Sequence, residues 1–471
     1  MALLLLLIPT FVMGDLASIK VGINEVALAE GFKVLENVLH LIPLGNHSVN
    51  ASGLILNLTN LVMNNTLAVT EESFLILEPC TIQINFTDLN SIITFNYSEN
   101  GKLPGKGNIT FPDSFLLLQF VVSVLGGGIQ LDLTPDSNII LGKAIVTTGL
   151  GKIINAELAK QINTATFLIE NTIMALIEPF LAGTVNPVLY SVAKLIPVPP
   201  VSLMYNISIT DESLIEGTYA TLPIRGEFLI YPFRTRFFPF LTVPLPSISS
   251  SNYPLQLLVS DYNLAAPLTA IWSEFHMNLT KFPPVLPLEL TTDGLAFILP
   301  GLKKQFGSNK PVMIGITPCP YWGVPLNLTI PNGVLDLDLG VRLDFYVNVS
   351  QTQVAYALTL FQQIQLKATL SELDFVGQFN IASLNLLNNT LGPNNTAPVN
   401  MPILNKTLQL LVKTLLPVIN ALGYEFQIPA PSIPFVNITQ NKIGLINRGI
   451  LLEAGIKLDL DSKLLKGYKI R

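Results

Sequence analysis

The stretch Leu158-Ala159-Lys160-Gln161-Ile162-Asn163-Thr164-Ala165-Thr166-Phe167-Leu168-Ile169-Glu170-Asn171-Thr172-Ile173-Met174-Ala175-Leu176-Ile177 decides how the rest is read. Leu158, Ile162, Ala165, Ile169, Ile173 and Leu176 recur at helical spacing and predict a long helix. Phe167, Leu168, Met174 and Ile177 lie off that stripe. A helix apolar on most sides must be buried on most sides. Protein covers one face; protein or bound lipid covers the other.

The pattern recurs further on. Leu404, Leu408, Leu411, Leu415, Val418 and Leu422 form a second long stripe, with Leu410, Val412, Leu416 and Ile419 off it and a kink expected at Pro417. Shorter stripes run through Leu28, Phe32, Leu35 and Leu39, and through Leu264, Leu268, Ile271 and Phe275. Between the helices the period is two. Val341, Leu343, Phe345, Val347 and Val349 alternate with polar residues, as Ile82, Ile84 and Phe86 do with Gln83 and Asn85. These are half-buried antiparallel strands, and runs of strands between spaced helices mark an α+β fold.

The order repeats along the chain. Ile196-Pro197-Val198-Pro199 follows the first long helix and Ile428-Pro429-Ala430-Pro431 the second. Tyr205-Asn206-Ile207-Ser208 is matched by Val436-Asn437-Ile438-Thr439, and Leu214-Ile215-Glu216-Gly217 by Leu445-Ile446-Asn447 with Gly449 beyond. This is the pattern of a duplicated unit. The length, 471 residues, also exceeds the roughly 250–300 at which single cores stop growing. The expected layout is a signal over 1–14, a first domain over 15–225, a proline-rich linker and central-sheet region over 226–255, a second domain over 256–460 and a basic tail over 461–471. Phe237 to Ser260, with Pro239, Pro244, Pro246 and Pro254, reads as linker.

Apolar residues are 49 % of the chain and charged ones 12 %, with mean hydropathy +0.51. That excludes disorder over most of the chain. A net charge of −6 without a basic run argues against nucleic acid. Ala2 to Val12, headed by five leucines, reads as a secretory signal with cleavage after Gly14, although it lacks a basic start; a buried first strand is the alternative. Ser114 to Leu131 is uncharged, but Gly126-Gly127-Gly128 makes it two strands joined by a glycine turn rather than a membrane span.

About 38 asparagines would give about five N-x-S/T triplets by chance, and the chain has roughly 15. They start at Asn46, Asn50, Asn57, Asn64, Asn85, Asn96, Asn108, Asn206, Asn278, Asn327, Asn348, Asn388, Asn394, Asn405 and Asn437. The excess points to a secreted, extracellular glycoprotein, with some sequons facing inward and staying bare. Cys80 and Cys319 fall at similar depths in the two halves, in Pro79-Cys80 and Pro318-Cys319. They are either a disulfide across a pseudo-twofold axis or two buried thiols.

In the right order, these residues resemble the lipopolysaccharide-binding, bactericidal permeability-increasing and lipid-transfer protein family. Ser18-Ile19-Lys20-Val21-Gly22-Ile23-Asn24, running into Ala29-Glu30-Gly31, resembles the family's first strand and helix. Val259-Ser260-Asp261-Tyr262-Asn263, with Pro267-Leu268, resembles its entry into the second-domain helix. Leu415 to Leu422, then Ile428-Pro429-Ala430-Pro431 and a closing strand to Leu460, resemble its end. The resemblance covers nearly the whole chain after the signal. It implies an elongated boomerang of two tubular domains, each a curved antiparallel sheet wrapped around long apolar helices, with a shared central sheet and lipid inside. Two departures stand out. The family's first-domain disulfide is absent, since the long second helix has no cysteine. From Asp15 to Arg225 about 9 Lys and Arg face about 18 Asp and Glu, an acidic balance that repels anionic surfaces.

No reaction chemistry is legible. His40, His47 and His276 stand apart from the cysteines, and no G-x-S-x-G, H-E-x-x-H or C-x-x-C occurs. Gly151-Lys152 is not a phosphate loop, because Val146 stands where that loop needs glycine. Glu71-Glu72 reads as a solvated turn, and Asp336 with Asp338 as one wet strand face rather than an acid pair or cation site. Tyr231, Phe233, Phe237, Phe238 and Phe240, with Arg234 and Arg236, either seal the two halves together or form a membrane-touching tip.

The expectation is a non-enzyme without metal or cofactor, apart from bound lipid, and a monomer. It would be a secreted carrier or transfer protein for phospholipid or another acyl-chain ligand. Recognition of bacterial lipopolysaccharide or membranes in innate defence is the alternative, and an adhesive glycoprotein a third. The expected slot walls are Ile162, Ile169 and Ile173 in the first half and Leu408, Leu411 and Leu415 in the second. Tryptophan at Ile169 and Ile173 would block the first slot.

Overall fold

A computed structural model describes residues 17–29, 41–51, 53–66, 70–77, 80–99, 103–180, 182–183, 186, 195–198, 203–210, 214–230, 235–236, 245–248, 251–281, 289–319, 325–373, 376–393, 399–406, 409, 427–428 and 436–458. The described chain is mostly antiparallel sheet with few helices, an α+β arrangement.

Alternation places the strands. In Thr81–Glu99, Ile82, Ile84 and Phe86 are buried while Gln83 and Asn85 are not. The first large sheet runs Leu41–Ala51, Leu54–Thr66, Thr81–Glu99, Leu103–Leu125, Gly128–Leu133, with shorter strands on its longer members. The uncharged stretch 114–131 is two strands of this sheet. They turn at Gly126 and Gly127, whose φ values of 56° and 80° favour glycine. The second large sheet runs Met277–Leu279, Val312–Pro318, Leu335–Ser350, Gln353–Leu373, Val376–Leu391, Gln427–Ile428. A small sheet carries Leu195–Val198, so the first Ile-Pro-Val motif is an edge strand, where proline is tolerated.

A fourth sheet joins the halves. Its order is Ile215–Glu216, Tyr219–Ile224, Ile19–Ile23, Leu255–Ser260, Gly449–Leu458, Val436–Ile446. Each half gives one strand and one hairpin, in mirrored order about the antiparallel pair Val21↔Leu257. The repeated motifs at Leu214 and Leu445 both lead into hairpin turns of this sheet. One expectation needs correction: Leu255–Ser260 is a central strand, not linker. The prolines that suggested a linker all precede it, and Leu255, Gln256, Leu258 and Ser260 are buried.

The motif that follows this strand locks the halves together. Asn263 donates to the Ser18 carbonyl at 2.9 Å, and Phe228 N–H donates to the Tyr262 hydroxyl at 2.9 Å. Asp261, 2 % exposed, accepts from Ile330 N–H at 3.2 Å and lies 3.0 Å from Arg448 Nε. Burial pushes the Asp261 carboxyl up; Arg448 and the Ile330 N–H oppose that without cancelling it. Between the unfolded and the folded value, the folded chain therefore holds a proton that the unfolded chain has released. Stability from this group is full below the unfolded value of about 4 and falls as pH rises toward the folded value. Asp261→Asn should flatten the pH dependence of urea unfolding over that window, and an unchanged slope would contradict the assignment.

The long helix is Lys152–Phe180, and the stripe from Leu264 forms the helix Tyr262–Ser273. Residues 25–29 and 401–406 are helical; the rest of the stripes that start at Leu28 and at Leu404 lies outside the described residues. Leu158, Ile173 and Ile177 are at most 1 % exposed and pack on Ile84, Ile93, Phe111 and Leu118 of the first sheet. Leu176 is 42 % exposed, so the buried line shifts from Leu158 toward Ile177, as a straight helix must shift where it crosses a twisted sheet. Phe167 and Leu168 are also exposed, so packing against the first sheet covers one face of the helix and leaves these two off it.

Helix side chains satisfy the irregular segment beneath them. Glu170 accepts from Leu141 N–H and Asn163 from Ala144 N–H, both at 2.8 Å. Between them Gly142 passes so close to the backbone that a Cβ would run into the Pro112 carbonyl oxygen. Gly142→Ala should cost about 1–3 kcal/mol, seen as a lowered melting temperature. An unchanged melting temperature would show that the segment yields freely.

Candidate functional site

The helix Lys152–Phe180 meets the edge strand Leu41–Ala51, and the junction is incompletely filled. A cavity of about 500 Å³ lies there, within the roughly 300–1,000 Å³ of small-ligand sites. Its floor is apolar. Leu58, Leu61, Ile93 and Ile109 come from three neighbouring strands, each at an inward position of the alternation. Ile162, Ala165, Leu168 and Ile169 come from the helix. The rim is polar: His47, Ser48, Asn50, Gln161 and Thr172. Gln161 Nε2 donates to the Asn50 carbonyl and ties helix to strand across the rim. Ser48 donates to Asn57 Oδ1 at 2.7 Å, and the Thr172 hydroxyl to the Leu168 carbonyl at 2.7 Å. Among the described residues no Asp, Glu, Lys or Arg lines the slot.

Ile162 and Ile169 thus sit together on the slot wall. Ile173 does not line it; at 1 % exposure it packs in the core, one turn past the cavity. Leu408, Leu411 and Leu415 lie outside the described residues, as does nearly all of the aromatic cluster around Phe237. The sheet side of the wall was not singled out from sequence. Its signal was present in the inward positions of the strands Leu54–Thr66, Thr81–Glu99 and Leu103–Leu125, but alternation alone does not say which inward residue faces a void.

The other candidates scatter. Cys80 sits at the turn before Thr81–Glu99 in the first sheet, and Cys319 is buried just after Val312–Pro318 in the second. The Cys80–Cys319 disulfide is not formed; the two thiols belong to different sheets. Asp336 and Asp338 share one strand face, with Lys367 Nζ 3.4 Å from Asp336. Partial burial, then the Asp336 charge, pushes the Asp338 carboxyl up, against Lys367. Among the described residues no group of three His, Cys, Asp or Glu could hold a metal ion. Glu71–Ser73 is a short 3-10 turn. None of the sequon asparagines whose side chains are described is buried, because inward strand positions are taken by apolar residues. A wider groove of about 740 Å³ crosses the first sheet, where Gln83, Asn85, Asn90 and Asp113 mix with Leu89, Phe115 and Leu117. Among the described residues no helix is long and apolar enough to cross a membrane.

The chain is similar in fold to a lipopolysaccharide-binding protein. That crystal structure aligns at a TM-score of 0.58 and 15 % identity, over 94 % of this chain and 99 % of the other. P47 of Clostridium botulinum E1 aligns at 0.29 and 9 % identity over 94 % and 99 %, and Takeout 1 of Epiphyas postvittana at 0.20 and 14 % over 32 % and 79 %. Those two TM-scores are too low to assign a fold. No family model and no curated protein matches the chain. The likeness to the lipopolysaccharide-binding protein fixes the α+β fold, with its sheet-rich architecture, over nearly the full length of both chains.

Proposed function

We propose that this chain binds lipid, with an acyl chain held in the slot between the long helix and the edge of the first sheet. The cavity itself carries the proposal: an apolar floor and a polar rim, with no charge among the described lining residues, at the place where the sequence put a helix too apolar for its surroundings. Burying an acyl chain there gains about 0.8 kcal/mol per methylene. The role is a passive one, carrier or transfer, and the chain would be a secreted monomeric glycoprotein of two tubular domains related to the lipopolysaccharide-binding family. The fold likeness supports this reading, and so do the outward sequons.

Fluorescent lipid transfer between donor and acceptor vesicles tests the carrier role: the chain should raise the rate in proportion to its concentration, and no effect would count against transfer. The neighbour's name gives the second reading, recognition of bacterial lipopolysaccharide. It predicts binding to endotoxin that weakens steeply with salt. The acidic first half disfavours it.

A further inference from the structure

The slot's rim bears on the kind of head group it accepts. We infer that the ligand is a lipid with an uncharged, hydrogen-bonding head, of the glycerol-ester or long-chain-alcohol class, and not one ending in a phosphate or carboxylate. The inference rests on the lipid-binding reading.

The cavity separates two chemistries. Leu58, Leu61, Ile93 and Ile109 on the floor are at most 7 % exposed and offer only hydrocarbon. The polar groups sit at the exposed rim. The Ser48 and Thr172 hydroxyl protons are engaged within the protein. Gln161 gives one N–H to the Asn50 carbonyl, and an amide has a second N–H and an acceptor oxygen besides. The Gln161 amide at this rim both donates and accepts, which matches hydroxyl and ester groups. A phosphate or carboxylate needs donors backed by positive charge. Among the described residues no Lys or Arg lines the slot, and His47 already pairs one ring nitrogen with the Leu44 carbonyl at 3.1 Å. An anionic head at the exposed rim stays hydrated and finds no counter-charge among the described residues to hold it there. The acidic balance of the first half adds to that disadvantage.

The test uses two probes with the same acyl chain, 1-monooleoylglycerol and oleoyl lysophosphatidic acid. The delipidated full chain is mixed with both in equal amount and read by native mass spectrometry. The expected result is retention of monooleoylglycerol in preference to lysophosphatidic acid by about tenfold or more. Gln161→Leu should narrow the preference to about twofold while lipid is still held. Equal retention, or preference for lysophosphatidic acid, would overturn the head-group inference and leave lipid binding standing. Retention of neither by a folded chain would overturn both.

Discussion

Tryptophan at both Ile162 and Ile169 is expected to empty the slot. The two positions are seven residues apart, two turns along one wall of the cavity. Neither is in the fully buried core, so the indoles have the cavity of about 500 Å³ to enter before they strain anything. Lipid recovered with the chain should fall to about a tenth or less, with the far-ultraviolet circular dichroism unchanged and a stability cost under about 3 kcal/mol. Ile173→Trp is the contrast. That side chain is 1 % exposed within the packed core, so the change should unfold or weaken the domain rather than block the slot selectively. A folded double variant with its full lipid content would remove Ile162 and Ile169 from the wall.

The second large effect belongs to the seam between the halves. Lys20 Nζ lies 2.6 Å from Glu216 Oε1, and their side chains are 7 % and 12 % exposed. The other carboxylate oxygen accepts from Ile248 N–H at 2.6 Å, which holds the segment 245–248 against the central sheet. Glu216 thus serves a lysine on the central strand and a backbone donor on the covering segment. Removing one member of a buried ion pair costs about 3–5 kcal/mol. Glu216→Leu should show that loss as a lower urea midpoint. The double variant Lys20→Met, Glu216→Leu should recover much of it, because both charges of the pair have left the interior. A loss below about 1 kcal/mol in the single variant would mean that water reaches Lys20.

Local periodicity made the long helix legible. The stripe from Leu158 predicted it, and the strand alternation at Ile82 to Phe86 named the inward residues. The glycines at 126 and 127 turned an apparent membrane span into a hairpin, because two residues with positive φ cost little only as glycine. The repeats at Leu214 and Leu445 pointed to two hairpins that the structure sets in mirrored places in one sheet. Long-range geometry was not legible. Leu255–Ser260 passed as linker because its burial comes from neighbours about 200 residues away, Ile19–Ile23 and Gly449–Leu458. Ile173 passed as slot wall because periodicity fixes a helix face but not where along that face the packing stops. The polar rim came from an edge strand whose pattern is broken by two bulges between Pro43 and His47. Asp344, at a position read as the wet face, is buried beside Thr359 and Arg342, a burial no single strand could reveal.

Lipid mass spectrometry on an organic extract of the purified, folded chain tests the central claim most directly. The slot predicts close to one lipid per first-half cavity, enriched in uncharged heads and depleted by the Ile162 and Ile169 tryptophans. An extract free of lipid, from protein whose circular dichroism and melting show it folded, would contradict the account.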